Sequence, residues 1–177
     1  MYDKLGFYPR GKGIMEDKKY ATIDASWYER DPDIPLRKTA GGVVVRKNKD
    51  QYHLALVREG DLPTFVLPKG GIDPGETALE AARRETLEEA GFSDLTSLGE
   101  LAYAYRQNYV KTRWVETLYF LFLTEEEQGF PTETAREYQQ VWCSLESPGP
   151  FFWPEQKKLI VDFNQEILRR LNSYFKA

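Results

Sequence analysis

Residues 70–92 of the chain, GGIDPGETALEAARRETLEEAGF, combine a glycine-rich loop with a strong helix pattern. Thr77 is followed three residues later by Glu80, which matches a capping box at a helix N-terminus. Gly91 stands where a glycine commonly ends a helix. The segment therefore predicts a helix over residues 77–90 that follows directly on a glycine-rich loop.

The predicted helix carries three glutamates on one face. Glu85, Glu88 and Glu89 are three and four residues apart, so their carboxylates converge. Like charges so placed repel each other, and the helix dipole disfavours anions in the last turn. A solvated acidic face is the usual interpretation of such a run. A bound divalent cation is the alternative, because Mg²⁺ takes oxygen ligands and would relieve both penalties.

The loop before the helix favours the cation. Backbone N–H groups of residues 70–75, together with the helix N-terminus, are suited to receive phosphate oxygens. Lys69 adds a point charge for phosphate. Arg84 adjoins Glu85 and is placed to orient a carboxylate or to contact a substrate. These neighbours turn an acidic helix face into a candidate phosphate and metal site.

The spacing of these residues resembles the Nudix signature, in which a glycine, a glutamate, an Arg-Glu pair, a Glu-Glu pair and a second glycine stand at fixed distances. The chain matches that pattern at Gly70, Glu76, Arg84, Glu85, Glu88, Glu89 and Gly91. Seven fixed positions are far more specific than a lone phosphate-loop pattern. Thr86 and Phe92 replace aliphatic residues of the pattern, and both positions concern packing.

The resemblance implies a fold and an activity. Nudix enzymes hydrolyse a nucleoside diphosphate linked to another moiety, and they carry the loop–helix–loop on an α/β/α sandwich. The cofactor would be Mg²⁺, with Mn²⁺ as the alternative. Its implied ligands are Glu85, Glu88, Glu89 and the carbonyl of Gly70. Arg84 joins the three glutamates in the implied catalytic set, where its ion pair with Glu76 would brace the loop and helix.

The general base stays open, since family members use a glutamate of the box or one from a later loop. The segment ETAREYQQVW places Glu137 five residues before Trp142, which resembles such a later acidic loop. Glu137 is therefore a candidate catalytic residue, with an ordinary surface glutamate as the alternative. The metal would polarise the phosphate and lower the pKa of an attacking water, and a carboxylate would accept its proton.

The substrate is less defined than the reaction. The stretch LPKGGIDPGE resembles the start of the box in dinucleoside polyphosphate hydrolases, whose substrates include diadenosine tetraphosphate and which often carry a tyrosine beyond the box. Tyr109, in the loop 107–111, is the best candidate to stack on a base. Tyr103 and Tyr105 alternate along a predicted strand and are expected to pack in the core.

Lys69 and Arg58 are candidate substrate-binding residues, and Arg106 and Lys111 offer further positive charge for a polyphosphate chain. Three alternatives remain: an RNA 5′-end pyrophosphohydrolase, a nucleoside triphosphate or nucleotide-sugar pyrophosphatase, and a non-catalytic nucleotide-binding regulator. Regulators typically lose box carboxylates, and all are present here. The net charge of −4 weighs against nucleic-acid partners, and it also disfavours an RNA 5′ end as the substrate without excluding it.

The rest of the chain predicts an α/β protein. Strands are expected at residues 39–46, 52–58, 64–67, 98–106, 113–124 and 140–145, the first two as a hairpin. Pro154 opens a C-terminal helix whose apolar stripe is Leu159, Phe163, Ile167, Leu171 and Phe175. We expect a Nudix-like α/β/α sandwich with a mixed β-sheet and a C-terminal packing helix.

We divide the 177 residues into an N-terminal extension, 1–37, and a Nudix domain, 38–177. The extension is expected to wrap the domain or to add a strand over residues 19–27. The single cysteine, Cys143, is expected to be buried, and the single histidine, His53, to be structural. The lone cysteine and the lack of a long apolar stretch or signal-peptide core predict a cytoplasmic protein with no membrane partner.

Overall fold

The longest strand, β1, lies at the centre of a mixed sheet in the computed structural model, which describes residues 20–176. The described strands are β1 (Leu36–Asn48), β2 (Gln51–Glu59), β3 (Lys69–Gly71), β4 (Thr96–Gln107), β5 (Trp114–Leu123) and β6 (Tyr138–Ser144). Their order across the sheet is β4-β5-β1-β2-β6, with β3 paired to β1 beside this path. β1 and β5 run parallel, whereas the other pairs are antiparallel.

The helices form layers on both faces of the sheet. They are α1 (Ala78–Ala90), α2 (Pro154–Asp162) and α3 (Asn164–Tyr174). Ala81 and Ala82 of α1 pack with Val44 of β1 in one buried cluster. Ile160 of α2 and Ile167 of α3 belong to another, which contains the alternate residues of β1 and β2. Successive side chains of β1 and β2 therefore pack into the two hydrophobic cores on opposite faces of the sheet. The predicted α/β/α sandwich with a mixed sheet is confirmed.

The predicted hairpin is confirmed and is longer than expected. β1 and β2 meet in an antiparallel register that pairs Val45 with Leu54 and closes at Asn48 and Gln51. Lys49 takes a positive φ of 54° in the turn between them. His53 lies within β2, as expected, and the later strands fall within about three residues of their predicted bounds. Cys143 is half-buried on β6 rather than fully buried.

Two predicted strands are wrong. Residues 64–67 form only isolated bridges, because the N–H of Leu67 donates to the side chain of Gln156, at 3.0 Å, rather than to a strand. The neighbouring strand is β3, inside the segment predicted as a loop. In the N-terminal extension a 3₁₀ helix, Ala25–Tyr28, replaces the strand expected over residues 19–27, of which residue 19 lies outside the described part. Asp24 caps that helix by accepting from the N–H of Ser26.

The single C-terminal helix is divided at Phe163 into α2 and α3. The side chain of Asn164, just past the break, donates to the carbonyl of Leu145 at 3.3 Å and ties this point to the end of β6. The apolar stripe still packs against the sheet, except that Phe175 is 44% exposed. Among the described residues no helix is long and apolar enough to cross a membrane.

Candidate active site

A cavity of about 220 Å³ opens at the end of the sheet where β3 crosses beside β1. Its walls come from the loop and helix singled out by the sequence and from segments distant in the chain. The lining residues used below are Arg37, Glu59, Lys69, Gly70, Arg84, Glu85, Glu88, Glu89, Arg106, Tyr109, Arg136, Phe152 and Trp153. The cavity thus combines carboxylates, cations and aromatic rings.

Helix α1 presents its glutamates to the cavity because both of its ends are set by local contacts. The capping box is formed, with the Thr77 side chain accepting from the N–H of Glu80 and the Glu80 side chain accepting from the N–H of Thr77. Gly91 ends the helix with a φ of 78°, in the left-handed conformation. The two departures from the signature, Thr86 and Phe92, are both completely buried, so they are packing positions as expected.

Glu85 is the most buried of the three glutamates, at 4% exposure. Its carboxylate lies over the backbone of β3, where a Cβ added to Gly70 would stand 2.0 Å from Oε1 and 2.2 Å from Oε2 of Glu85. Only a glycine permits this close approach. The glycine that opens the box therefore admits a carboxylate against the backbone of the cavity wall.

Arg84 connects the loop to the acidic face of α1. Its Nε and Nη2 donate to the two carboxylate oxygens of Glu76, each at 2.9 Å, and Nη2 also donates to the carbonyl of Gly71. Nη1 donates to Glu85 at 2.8 Å and to Glu88 at 3.4 Å. These bonds raise the pKa of Arg84, chiefly through Glu76, and the same bonds lower the pKa of Glu76. The expected ion pair is therefore present as a bidentate fork.

Glu89 is held from two sides. Its Oε2 accepts from the backbone N–H of Lys69 at 3.0 Å, and its Oε1 accepts from the hydroxyl of Tyr138 at 3.2 Å. Removal from bulk water raises the pKa of Glu89, against the opposing influence of the Lys69 ammonium. Removal from water likewise lowers the pKa of Lys69. Both groups are thus sensitive to any charge that enters the cavity.

Positive side chains line the cavity beyond the box. Arg106 is 5% exposed; its Nε donates to Glu155 at 2.9 Å and its guanidinium carbon lies 3.5 Å from the ring centroid of Trp153. Arg136 forms an ion pair with Glu59 at the end of β2. With Lys69, these residues place cationic groups in the same cavity as the carboxylates of α1. Such an arrangement suits a chain of phosphates.

An aromatic wall completes the cavity. It consists of Tyr109, Phe152 and Trp153, all of which line the cavity. The Tyr109 ring centroid lies 6.0 Å from that of Phe152 and 6.4 Å from that of Trp153. Planar rings at this spacing provide surface on which a nucleobase can stack.

The donor set fits a hard divalent cation. The three glutamates of α1 that line the cavity and the carbonyl of Gly70 offer oxygen atoms only, which Mg²⁺ and Mn²⁺ prefer. Gly70 leaves room for the Glu85 carboxylate at the backbone. Within residues 20–176 no three acidic, histidine or cysteine side chains are arranged as a ready metal site. Arg84 forms ion pairs with Glu85 and Glu88, and Glu89 accepts hydrogen bonds from the backbone N–H of Lys69 and the hydroxyl of Tyr138.

Most of the site residues predicted from the sequence come together. Those that line the cavity are Lys69, Gly70, Arg84, Glu85, Glu88, Glu89 and Tyr109. Arg58 and Glu137 do not line it. Arg58 donates to Gln139 on β6, and Glu137 is an exposed residue whose carbonyl accepts from Gly60.

Three further candidates have different surroundings from those expected. Tyr103 and Tyr105 are 52% and 45% exposed and stack on each other, so the expectation that they pack in the core is wrong. They project from the edge strand β4 on the face opposite its buried Ala104. Lys111 does not line the cavity, and its ammonium lies over the ring of Trp27.

Residues on both walls of the cavity were not predicted from the sequence. Glu59 and Arg136 follow no local motif, and Arg37 stands in the segment assigned to the extension. Phe152 and Trp153 belong to the run FFWP before α2, a cluster of aromatic residues beside a helix start that was available as a signal. The remaining residues meet only through the order of the strands.

Comparison with known proteins identifies the family. The family description of the NUDIX domain matches residues 35–170, which is most of the chain. An Ap4A hydrolase of C. elegans, solved as a binary complex, covers 80% of this chain and 98% of its own, with a TM-score of 0.51 and 24% identity. At that identity the likeness concerns the fold alone.

Two relatives by sequence have different names. An RNA pyrophosphohydrolase of Erythrobacter litoralis (strain HTCC2594) is 26% identical over 153 residues, which are 82% of this chain and 93% of that protein. A Bacillus subtilis (strain 168) protein provisionally named an 8-oxo-dGTP diphosphatase is 49% identical over 55 residues, or 31% of this chain, and the match spans only 36% of that relative. With the complete box around the cavity and the family match over residues 35–170, this chain belongs to the Nudix family and is a pyrophosphohydrolase that acts on nucleotide substrates.

Proposed function

We propose that this enzyme is a magnesium-dependent hydrolase of dinucleoside polyphosphates such as diadenosine tetraphosphate. The observation that carries the proposal is one cavity that combines the carboxylates of α1, the cations Lys69 and Arg106, and the aromatic wall of Tyr109, Phe152 and Trp153. A dinucleoside polyphosphate presents a base to stack and a chain of phosphates to neutralise. The cavity offers a matching surface for each part.

The metal ligands proposed are Glu85, Glu88, Glu89 and the backbone carbonyl of Gly70. When bound, Mg²⁺ polarises a phosphoryl oxygen and lowers the pKa of an attacking water. The chain's own residues set the place of this chemistry, since Gly70 lets the Glu85 carboxylate approach the backbone and Lys69 holds Glu89 through its N–H. A cation held by these glutamates would replace the bonds of Arg84 to Glu85 and Glu88, whereas the fork of Arg84 to Glu76 would continue to brace the helix.

The phosphate chain is assigned to Lys69 and Arg106. Arg106 is fixed by its bonds to Glu155 and to the carbonyl of Gln107, so its guanidinium keeps one position at the cavity wall. A fixed cation loses little conformational entropy when a phosphate binds. Arg58, named from the sequence as a further substrate contact, is engaged by Gln139 and lies outside the cavity lining.

The proton of the attacking water passes to a carboxylate of the cavity. Four glutamates line it, namely Glu59, Glu85, Glu88 and Glu89. Glu137, the candidate from the later loop, is exposed, and its side chain would have to turn into the cavity to act. We therefore place the general base among the four lining glutamates.

Hydrolysis of the triphosphate at an RNA 5′ end is the second candidate. The relative from Erythrobacter litoralis that is named an RNA pyrophosphohydrolase aligns over 82% of this chain. An RNA 5′ end offers the same groups as a free nucleotide, namely a base and a phosphate chain joined through a ribose. The difference lies in the ribonucleotides that follow, which require a path out of the cavity.

One experiment separates the candidates. The purified full chain is incubated with Mg²⁺ and diadenosine tetraphosphate, nucleoside triphosphates, ADP-ribose, a nucleotide sugar or 5′-triphosphorylated RNA, and kcat/KM is measured for each. We expect the highest value for diadenosine tetraphosphate. Products formed in ¹⁸O-labelled water identify the phosphorus that is attacked.

A higher kcat/KM for triphosphorylated RNA than for diadenosine tetraphosphate would favour the RNA pyrophosphohydrolase over the dinucleoside polyphosphate hydrolase. Tight binding of a nucleotide without turnover of any substrate would make the protein a nucleotide-binding regulator and overturn the proposed function.

A further inference from the structure

A segment that precedes the family match is packed against the aromatic wall of the cavity. The match begins at residue 35, whereas residues 20–29 already contact the loop that carries Tyr109. Trp27, in the 3₁₀ helix of this segment, is only 8% exposed and shares a buried cluster with Phe152 and Trp153. Neither Tyr20 nor Trp27 lines the cavity. We call residues 20–29 the brace.

The brace contacts both the ring hydroxyl and the backbone carbonyl of Tyr109. The backbone N–H of Ala21 donates to the Tyr109 hydroxyl at 2.7 Å, and Nε1 of Trp27 donates to the Tyr109 carbonyl at 3.3 Å. The rings of Tyr20 and Trp27 each lie 6.3 Å from the Tyr109 ring, centroid to centroid. Both the backbone position and the ring tip of Tyr109 are therefore fixed by residues outside the cavity.

A second group of contacts holds the brace to the flanks of the same loop. The Lys111 ammonium lies 4.0 Å from the Trp27 ring centroid and donates to the Ser26 hydroxyl. On the other flank, the Gln107 side chain donates to the carbonyls of Ser26 and Glu29 at 3.2 Å and 2.7 Å. The brace therefore forms hydrogen bonds with Gln107, Tyr109 and Lys111.

The brace adds to the contacts that the turn makes within itself. Lys111 has a positive φ of 57°, and the side chain of Asn108 bridges the turn by accepting from the N–H groups of Thr112 and Arg113. A tyrosine on an unsupported surface turn samples several rotamers, and ordering it on binding costs free energy. A tyrosine already held in one orientation avoids that cost.

From these contacts we infer that the brace is a specificity device: Trp27 and Lys111 are positioning residues that hold Tyr109 ready to stack on the base of the substrate. The inference rests on the proposed function, which assigns the base to the aromatic wall. The brace gives the enzyme its preference for phosphate chains that carry a base over phosphate chains without one. It adds nothing to the binding of the phosphates themselves.

The test compares two non-hydrolysable ligands that differ in the nucleoside. Adenosine 5′-(α,β-methylene)diphosphate carries the base, and methylenediphosphonate carries the phosphate analogue alone. The dissociation constants of both are measured by calorimetry on the full chain with Mg²⁺. The dissociation constant of methylenediphosphonate divided by that of the nucleotide analogue is the preference ratio, which reports the contribution of the nucleoside, base and ribose together.

The variants are Trp27→Phe, which keeps a ring but removes the N–H donor, and Lys111→Met, which keeps the stem but removes the charge. We expect each to lower the ratio by about 2- to 10-fold, the effect of one hydrogen bond or of one cation over a ring. Tyr109→Ala should lower it by about 5- to 100-fold, as expected for the loss of one stacked base. In every variant the dissociation constant of methylenediphosphonate should stay unchanged.

Tyr52→Phe is the matched control, because it also removes one hydrogen bond of an aromatic side chain, to Asn172, away from the cavity. Its ratio should equal that of the wild type. The inference is overturned if Tyr109→Ala lowers the ratio while the Trp27 and Lys111 variants keep it, or if those variants weaken both ligands equally. If the wild type does not prefer the base-bearing ligand, the base assignment of the proposed function fails, and the role of the brace fails with it.

Discussion

The carboxylate of Glu85 lies against the Cα of Gly70, close enough that a Cβ there would stand 2.0 Å from Glu85 Oε1. The two residues are joined through space by the pairing of β3 with β1 and the packing of α1 on that pair. This contact links the first glycine of the box to the first glutamate of its Glu-rich end. Its consequence is that the position of the carboxylate depends on the size of residue 70.

Gly70→Ala should therefore displace Glu85 from the cavity wall. We expect kcat to fall by at least about 10-fold and the free energy of unfolding to fall by about 1–3 kcal/mol, the usual cost of overpacking. Steady-state kinetics and urea denaturation measure the two effects. Gly149→Ala is the matched control, since an added Cβ there meets its nearest neighbours at 3.8 Å and 3.9 Å. Equal activity of the Gly70 variant and the wild type would contradict the assignment.

Glu88→Gln should abolish most of the activity without unfolding the protein. Its side chain is 28% exposed and bonded only weakly, at 3.4 Å, to Arg84, so the fold does not depend on it. Loss of one metal-binding charge should lower kcat by about 100-fold or more. Glu125→Gln, an exposed position outside the cavity, should keep the wild-type rate. A near-wild-type rate for Glu88→Gln would show that this glutamate holds no metal.

Metal binding should also raise the thermal stability of the folded chain. A cation at the glutamates of α1 relieves their mutual repulsion, and at a concentration of 100 Kd it stabilises the folded chain by about 2.7 kcal/mol. We expect Mg²⁺ to raise the Tm by about 5–10 °C and excess EDTA to reverse the rise and the activity. Thermal unfolding followed by circular dichroism measures this. The rise should be lost in Glu88→Gln, and an equal rise in that variant would place the ion elsewhere.

The choice of base can be tested by comparing Glu59 with Glu137. Glu59 lines the cavity, whereas Glu137 is exposed. We expect Glu137→Gln to retain kcat within about threefold of the wild type, because a base typically contributes 10²- to 10⁴-fold and this carboxylate does not reach the cavity. A loss of about 100-fold or more in Glu137→Gln would restore it as the base, whereas such a loss in Glu59→Gln, which removes no proposed metal ligand, would place the base at Glu59.

The stability of the protein at low pH should depend on Glu166 of α3. Hydrogen bonds from Arg169 and Arg170 lower the pKa of Glu166 to about 2, and Arg170 in turn donates to the carbonyls of Leu98 and Glu100 on β4. A lowered pKa means that the stabilisation is complete above the ordinary value of about 4.3 and is lost as the pH falls towards 2. The wild type should therefore exceed Glu166→Gln in denaturation midpoint at pH 7, with a smaller difference at pH 3. A difference independent of pH would contradict this role.

The box could be read from the chain because its geometry is local. A helix relates Glu85, Glu88 and Glu89 by fixed spacing, and the cap residues Thr77 and Gly91 act within one turn of its ends. Likewise two β-rich runs separated by a short polar turn predicted the hairpin of β1 and β2. Those elements needed no knowledge of distant contacts. The predictions that failed, such as the strand over residues 64–67, concern backbone groups whose partners, like the Gln156 side chain, lie far along the chain.

The aromatic and positively charged part of the site depends on the tertiary structure. Trp27 and Tyr109 are 82 residues apart and are joined by a hydrogen bond. Arg106 of β4 donates to Glu155 in the first turn of α2. No periodicity records such contacts, because they follow from the order of the strands and from which segments cover each end of the sheet. The reaction was predicted from local spacing, because the box residues from Gly70 to Gly91 stand at the distances of the Nudix signature. The surroundings of the substrate were decided by packing between segments, which is why Arg58 and Glu137 lie outside the cavity while Arg106 and Trp153 line it.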